Sequence, residues 1–293
     1  MADYFVASSQ LPLLRLKGVM FVGLSLGLAL FTAGCETTQS LMPRDAGVAA
    51  IDTDTNGASA ANIASLTEMI QRNPNDAAAY NTRGTAYAKV GNYKLAIADF
   101  SQSVKLNPGL ASAYTNRALA YRQISRDDAA LVDFNAAITA NPNHAAAYLG
   151  RANLLRAQGN FSEAMSDLNQ AIRLNPEQAQ AFHARGLIYQ RQGQHAQAIT
   201  DFDNAIDRDP FAAAPYEARG QSLLATGKYD KAIEDFNAAL NVDNHLVGSW
   251  AGLGVAYEKQ NNRQKAIESY GRALSIDANN AVARDGMSRL GRA

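Results

Sequence analysis

The charged residues that recur with fixed type and spacing in this chain are an arginine and an aspartate sixteen positions apart. They stand as Arg83 and Asp99, Arg117 and Asp133, Arg151 and Asp167, Arg185 and Asp201, and Arg219 and Asp235. A guanidinium is planar, permanently charged and able to bond both oxygens of one carboxylate, so such a pair orients two elements and does not exchange protons. The next equivalent positions hold Leu253 and Ser269, so both partners are lost together. Pairing each aspartate with the following arginine would leave Asp235 opposite Leu253, so pairing within one unit is expected. Residues that could do reactive chemistry are scattered. The histidines, His144, His183, His195 and His245, stand at no metal-ligand spacing from one another, so no metal site is expected. Cys35 is the only cysteine, which rules out a disulfide within one chain. No glycine-rich phosphate loop follows a strand pattern. No catalytic set emerges and no cofactor is expected.

The elements that must position these pairs repeat every 34 residues. Tyr80 recurs as Tyr114, Tyr148, Phe182, Tyr216 and Trp250; Ala96 recurs as Ala130, Ala164, Ala198, Ala232 and Ala266. Self-similarity at this period signals a stack of one supersecondary unit. Tyr80, Gly84 and Tyr87 fall on one face of a first helix, and Ala96, Phe100, Ser103 and Val104 on one face of a second. Gly91, with equivalents at Gly159, Gly193 and Gly227, permits the left-handed turn between them. Asn107-Pro108 and its equivalents through Asp209-Pro210 stop the second helix. The last two units carry Asn244 and Ala278 in place of the proline, so their turns are less firmly specified.

Large residue, Gly or Ala four later, Tyr three later, then Ala, Phe, Ala and Pro: this order resembles the tetratricopeptide repeat. Tyr80, Gly84, Tyr87, Ala96, Phe100 and Pro108 match it, with Ser103 at the second alanine. The arginines stand where the family usually has leucine. The resemblance implies an all-α fold: a right-handed superhelix, or α-solenoid, of stacked antiparallel hairpins. Six units are expected at 77–110, 111–144, 145–178, 179–212, 213–246 and 247–280. A helix over Asn62–Arg72 and one over Ala281–Leu290 should cap the stack within a solenoid spanning 61–293.

In this family the first helix of each unit lines a concave binding groove. Repeat register places Asn81 and Thr85 of unit 1 there, and Thr115, Leu119 and Arg122 of unit 2. Leu149, Asn153 and Arg156 follow from unit 3, and His183, Leu187, Gln190 and Arg191 from unit 4. An extended or helical peptide with acidic and apolar residues is the expected partner. Lys and Asn positions with which some relatives clamp a C-terminal carboxylate are matched only at Asn116, so that clamp is not expected.

Residues 1–34 read as an export signal: Arg15 and Lys17 precede an uncharged run from Gly18 to Cys35. Thr32-Ala33-Gly34-Cys35 resembles a bacterial lipoprotein cleavage box. That resemblance implies cleavage before Cys35 and lipidation of its thiol, palmitate included; an uncut span is the alternative, near the lower limit of roughly 17–25 residues. Glu36 in place of aspartate favours, by the same resemblance, the outer membrane facing the periplasm. Residues 35–60 read as a flexible tether. Without the signal, which holds Arg15, Lys17 and Asp3, the chain has 25 basic and 26 acidic residues. That balance argues against nucleic acid as a partner. The expected function is a non-catalytic, lipid-anchored scaffold that binds an envelope protein or peptide, with self-association open. A pilotin-like escort for a secretin or pilus component is one alternative; an enzyme or enzyme subunit with an unrecognised site is the other.

Overall fold

The computed structural model describes residues 58–291. The export segment, Cys35 and the tether through residue 57 lie outside them. The described residues form fourteen α-helices and no strand. α1 (Ala58–Arg72) begins four residues before the expected Asn62, because Ala58-Ser59-Ala60-Ala61 is alanine-rich and alanine is the strongest helix former.

Six hairpins follow. Their first helices are α2 (Ala77–Lys89), α4 (Ala111–Gln123), α6 (Ala145–Ala157), α8 (Ala179–Arg191), α10 (Ala213–Ala225) and α12 (Val247–Lys259). Their second helices are α3 (Tyr93–Leu106), α5 (Asp127–Ala140), α7 (Phe161–Leu174), α9 (His195–Arg208), α11 (Tyr229–Val242) and α13 (Arg263–Ile276). α14 (Ala281–Leu290) closes the stack. The fold is the all-α superhelical repeat architecture.

Each hairpin turns through one residue with left-handed backbone. Gly91, Gly159, Gly193 and Gly227 take φ of 74° to 83°. Ser125 and Asn261 take φ of 56° and 59° at the same place in units 2 and 6, where only a non-glycine residue is available. The turns between units are set by a different device. Asn107, Asn141, Asn175, Asp209, Asp243 and Asp277 each accept a hydrogen bond at Oδ1 from the backbone N–H two residues on, at 2.9–3.3 Å. This side-chain turn closes all six units, so Asn244 and Ala278 replace proline without loss of the turn.

The buried aromatic of each second helix wedges between successive first helices. At Gly252, a Cβ would lie 2.4 Å from the Phe236 ring of the preceding unit; at Gly220, within Phe236's own unit, it would lie 2.8 Å away. Only glycine permits that approach on both sides. First helices of neighbouring units also touch, as in α4 with α6 and α10 with α12, whereas no second helix meets the next second helix. The stack therefore bends with its first helices inside, which forms the concave face. No helix among the described residues is long and apolar enough to cross a membrane.

Candidate partner-binding surface on the first helices

The five recurring arginines fix the rotation of the first helices. Each donates Nε and Nη2 to the two carboxylate oxygens of the aspartate in its own unit, at 2.7–2.8 Å in every case. Nη1 reaches the other way, to the second helix of the preceding unit. Its acceptors are Thr67, Ser101, Asn135, Asn169 and Asp203, at 3.1, 3.1, 2.6, 2.8 and 2.5 Å. Each guanidinium thus joins three helices, and α1 supplies unit 1 with the preceding second helix it would otherwise lack. Sequence reasoning missed this third partner, although the five acceptors are themselves 34 residues apart and sixteen before their arginines.

The aspartates are 3–7% exposed, and Tyr80, Tyr114, Tyr148, Phe182 and Tyr216 lie 5.7–5.9 Å from the guanidinium carbons. The carboxylate bonds hold the arginine pKa values above their ordinary range, against the opposing effect of burial. Positions two residues to either side of such an arginine lie roughly 200° around the helix, on the far face. Clamping the arginine therefore aims that face into the concavity.

The structure divides the predicted groove residues into three groups. Several are spent within the fold. Asn116 Nδ2 donates to Asn81 Oδ1 at 3.1 Å and Thr85 Oγ1 at 3.4 Å, joining units 1 and 2. Thr115 is buried and donates to the Ala111 carbonyl. Gln190 Nε2 donates to the Ala218 carbonyl and Ser222 Oγ, at 2.8 and 2.9 Å. Beyond it, Ser249 donates to Glu217 at 2.7 Å, so the C-terminal half of the strip satisfies itself.

A second group is core. Leu119 and Leu149 are buried, Leu119 beside Phe134 and Leu154, and half-buried Leu187 packs against Phe202. The inward bend presses first helices together, so Leu119 and Leu149, expected to meet a partner's side chains, are enclosed by their neighbours. Arg191 is exposed and stacks over Phe161 at 5.1 Å.

The third group sits in the middle. Arg122 and Arg156 are half-buried. Asn153 is 1% exposed, and neither its Nδ2 nor its Oδ1 has a hydrogen-bond partner. His183 is 6% exposed and tilted against the Phe202 ring at 5.8 Å. Burial, with the nearby charge of Arg156, lowers its pKa to about 4, so it is neutral at pH 7. α2, α4, α6 and α8 contain no aspartate or glutamate. Their clamped arginines are neutralised from the second helices, which leaves the concave side of units 2–4 with the charge of Arg122 and Arg156. The absence of carboxylates was visible in the sequence once the helices were drawn. The isolation of Asn153 was not, because it depends on which neighbours the bend brings near.

No set of three or more His, Cys, Asp or Glu side chains that could hold a metal ion occurs among the described residues. Residues 77–110 and 248–280 match the family described as tetratricopeptide repeat, as do 111–144 and 183–245; residues 152–193 match its TPR repeat. The chain belongs to the tetratricopeptide repeat family. No curated protein is significantly similar to it. Among solved structures, this tetratricopeptide repeat protein is similar to the APC/C hetero-tetramer Cut9-Hcn1, at 20% identity and a TM-score of 0.68. That match covers 79% of this chain and 47% of the other, so the chain spans about half its length. It is similar to PilW, described as a type IV pilus biogenesis factor, at 17% identity and a TM-score of 0.63, covering 71% of this chain and 97% of PilW. It is also similar to YrrB, described as a TPR protein with an unusual peptide-binding site, at 23% identity and a TM-score of 0.55; the match covers 64% of this chain and 97% of YrrB. These likenesses concern the fold.

Proposed function

We propose that this tetratricopeptide repeat protein is a non-catalytic scaffold at the bacterial cell envelope, holding an acidic segment of another protein against its first helices. The observation that carries the reading is the charge arrangement of units 1–4. Their first helices offer no carboxylate, and Arg122 and Arg156 stand on the inner face beside a buried amide. Such a surface attracts anionic segments and repels basic ones. The lipid on Cys35 supplies location: cleavage before that residue and acylation anchor the chain in the outer membrane, on the periplasmic side. Two or more acyl chains suffice for stable anchoring. The anchor confines the scaffold and the repeats choose the partner.

Crosslinking in intact cells, followed by identification of the bound proteins, tests this directly. Reversing Arg122 and Arg156 to glutamate should lower recovery of the wild-type partner at least tenfold while the helical content is unchanged. Equal recovery by the reversed protein overturns the reading. Cys35→Ser should release the protein from the membrane fraction.

The fold shared with PilW supports a second reading, a pilotin-like escort for a secretin or pilus component. It uses the same anchor and the same strip. The two readings differ in what the crosslink recovers: a secretin or pilin subunit for the escort, another envelope protein for the scaffold. A second copy of this chain would place self-association in the same groove.

A further inference from the structure

We infer that the concave site reads the main chain of an extended strand at Asn153, so the partner segment binds unfolded rather than as a helix. This rests on the reading of the first-helix strip as a partner surface and deepens it.

Position nine of each first helix holds Leu119 in unit 2, Asn153 in unit 3 and Leu187 in unit 4. Leucine is thus what the stack accepts on either side. Asn153 is as enclosed as those residues, yet its amide nitrogen and its amide oxygen both lack a partner. Buried polar groups are almost always hydrogen-bonded, and an isolated pair at one side chain marks a place completed from outside. A primary amide offers one donor edge and one acceptor edge side by side. The group that satisfies both at once is another amide: its N–H donates to Oδ1 while its C=O accepts from Nδ2. A carboxylate fails here, because it only accepts and would set lone pairs against Oδ1.

A helical segment fails too. The N–H and C=O groups inside a helix are already bonded to one another. An extended strand presents the N–H and C=O of alternate residues along one edge, as it does to a neighbouring strand. Nearby, neutral His183 adds no competing cation, and Arg122 and Arg156 provide for acidic side chains that flank the bonded residue. The strand therefore carries acids, while Asn153 bonds its backbone.

The test uses the full-length protein and three probes in titration calorimetry. The first is the peptide acetyl-Glu-Leu-Glu-Ala-Glu-Leu-Glu-amide. The second is the same peptide with alternate backbone nitrogens methylated, in each of the two registers. The third is a side-chain-stapled helix of the same composition. The linear peptide should bind, and methylation in one register should weaken it at least tenfold. The stapled helix should bind at least tenfold more weakly than the linear form. Asn153→Leu should lose the linear peptide at least tenfold and raise the melting midpoint of the free protein by about 3 °C, because it removes an unpaired buried amide.

A linear peptide that binds with indifference to methylation in both registers and to Asn153→Leu sinks this inference and leaves the acidic-partner reading standing. Tighter binding of the stapled helix has the same consequence. A lowered midpoint for Asn153→Leu shows that the amide is already satisfied, and also overturns it. Failure of every acidic probe to bind wild-type protein removes the underlying reading as well.

Discussion

The fourth and sixth units fold alike from different chemistry. In unit 4, Arg185 ties α8 to Asp201 on α9 and to Asn169 on α7. In unit 6, Leu253 is buried among Leu223, Phe236 and Leu240, and Ser269 turns back to the carbonyl of Lys265. The polar tie has moved to the other end of the first helix. Glu258 accepts from Tyr270 at 2.7 Å and from Arg289 of the capping helix at 2.9 Å, and Arg289 holds its pKa below the ordinary carboxylate value. Ring and glycine are common to both units: Gly186 faces Phe202 and Gly254 faces Tyr270. The shared wedge makes the fold, and the clamp is one of two ways to set the helix rotation around it. Clamping suits the units whose inner faces carry Arg122, Asn153, Arg156 and His183, since it holds that face without using its side chains.

This comparison can be broken most sharply at the clamp. Removing one partner with Asp201→Ala leaves a guanidinium with one carboxylate fewer in a half-buried site, and should cost about 3–5 kcal/mol. Importing the sixth unit's chemistry whole, as Arg185→Leu with Asp201→Ser, should cost less than half of that, because no charge is left unpaired. Urea unfolding midpoints decide it, and a double variant as damaged as the single one would show that the two units are not interchangeable.

Acid should act on unit 4 and spare unit 6, because position five is His183 in one and Ala251 in the other. The unfolded chain takes up a proton at His183 near pH 6.5 and the native chain only near pH 4. Stability is therefore lost as pH falls through that window, by up to about 3 kcal/mol, and this group contributes no pH dependence above it. His183→Ala should flatten this part of the stability profile; an unchanged slope between pH 6.5 and 4 assigns the loss elsewhere.

The smallest expected effect lies in the hairpin turns. Unit 4 turns on Gly193 and unit 6 on Asn261, both with positive φ. Asn261→Gly should raise stability by about 0.5–1 kcal/mol as the side-chain strain is relieved. A decrease in thermal midpoint would mean that unfolded-chain entropy outweighs the strain.

The repeat was legible because packing demands recur. Tyr80, Gly84, Ala96 and Phe100 reappear every 34 residues, since each unit must bury the same wedge against the next. The loss of Arg and Asp together at Leu253 and Ser269 carried the register of the ion pairs in the same way. The side-chain turn at Asp243 and Asp277 was equally present in the letters, but it was hidden behind the proline that accompanies it in units 1–4.

The concave face followed different rules. Leu119, Leu149 and Asn153 occupy groove positions by register, and sequence alone assigns all three to a partner. The bend decided otherwise, enclosing the leucines and closing Gln190 onto Ala218 and Ser222, while Asn153 kept both amide atoms unpaired. Hydrophobic period and turn residues are local properties, so the order of residues sets them. Whether a side chain is spent or left over depends on how closely successive units approach, and only the assembled stack fixes that distance.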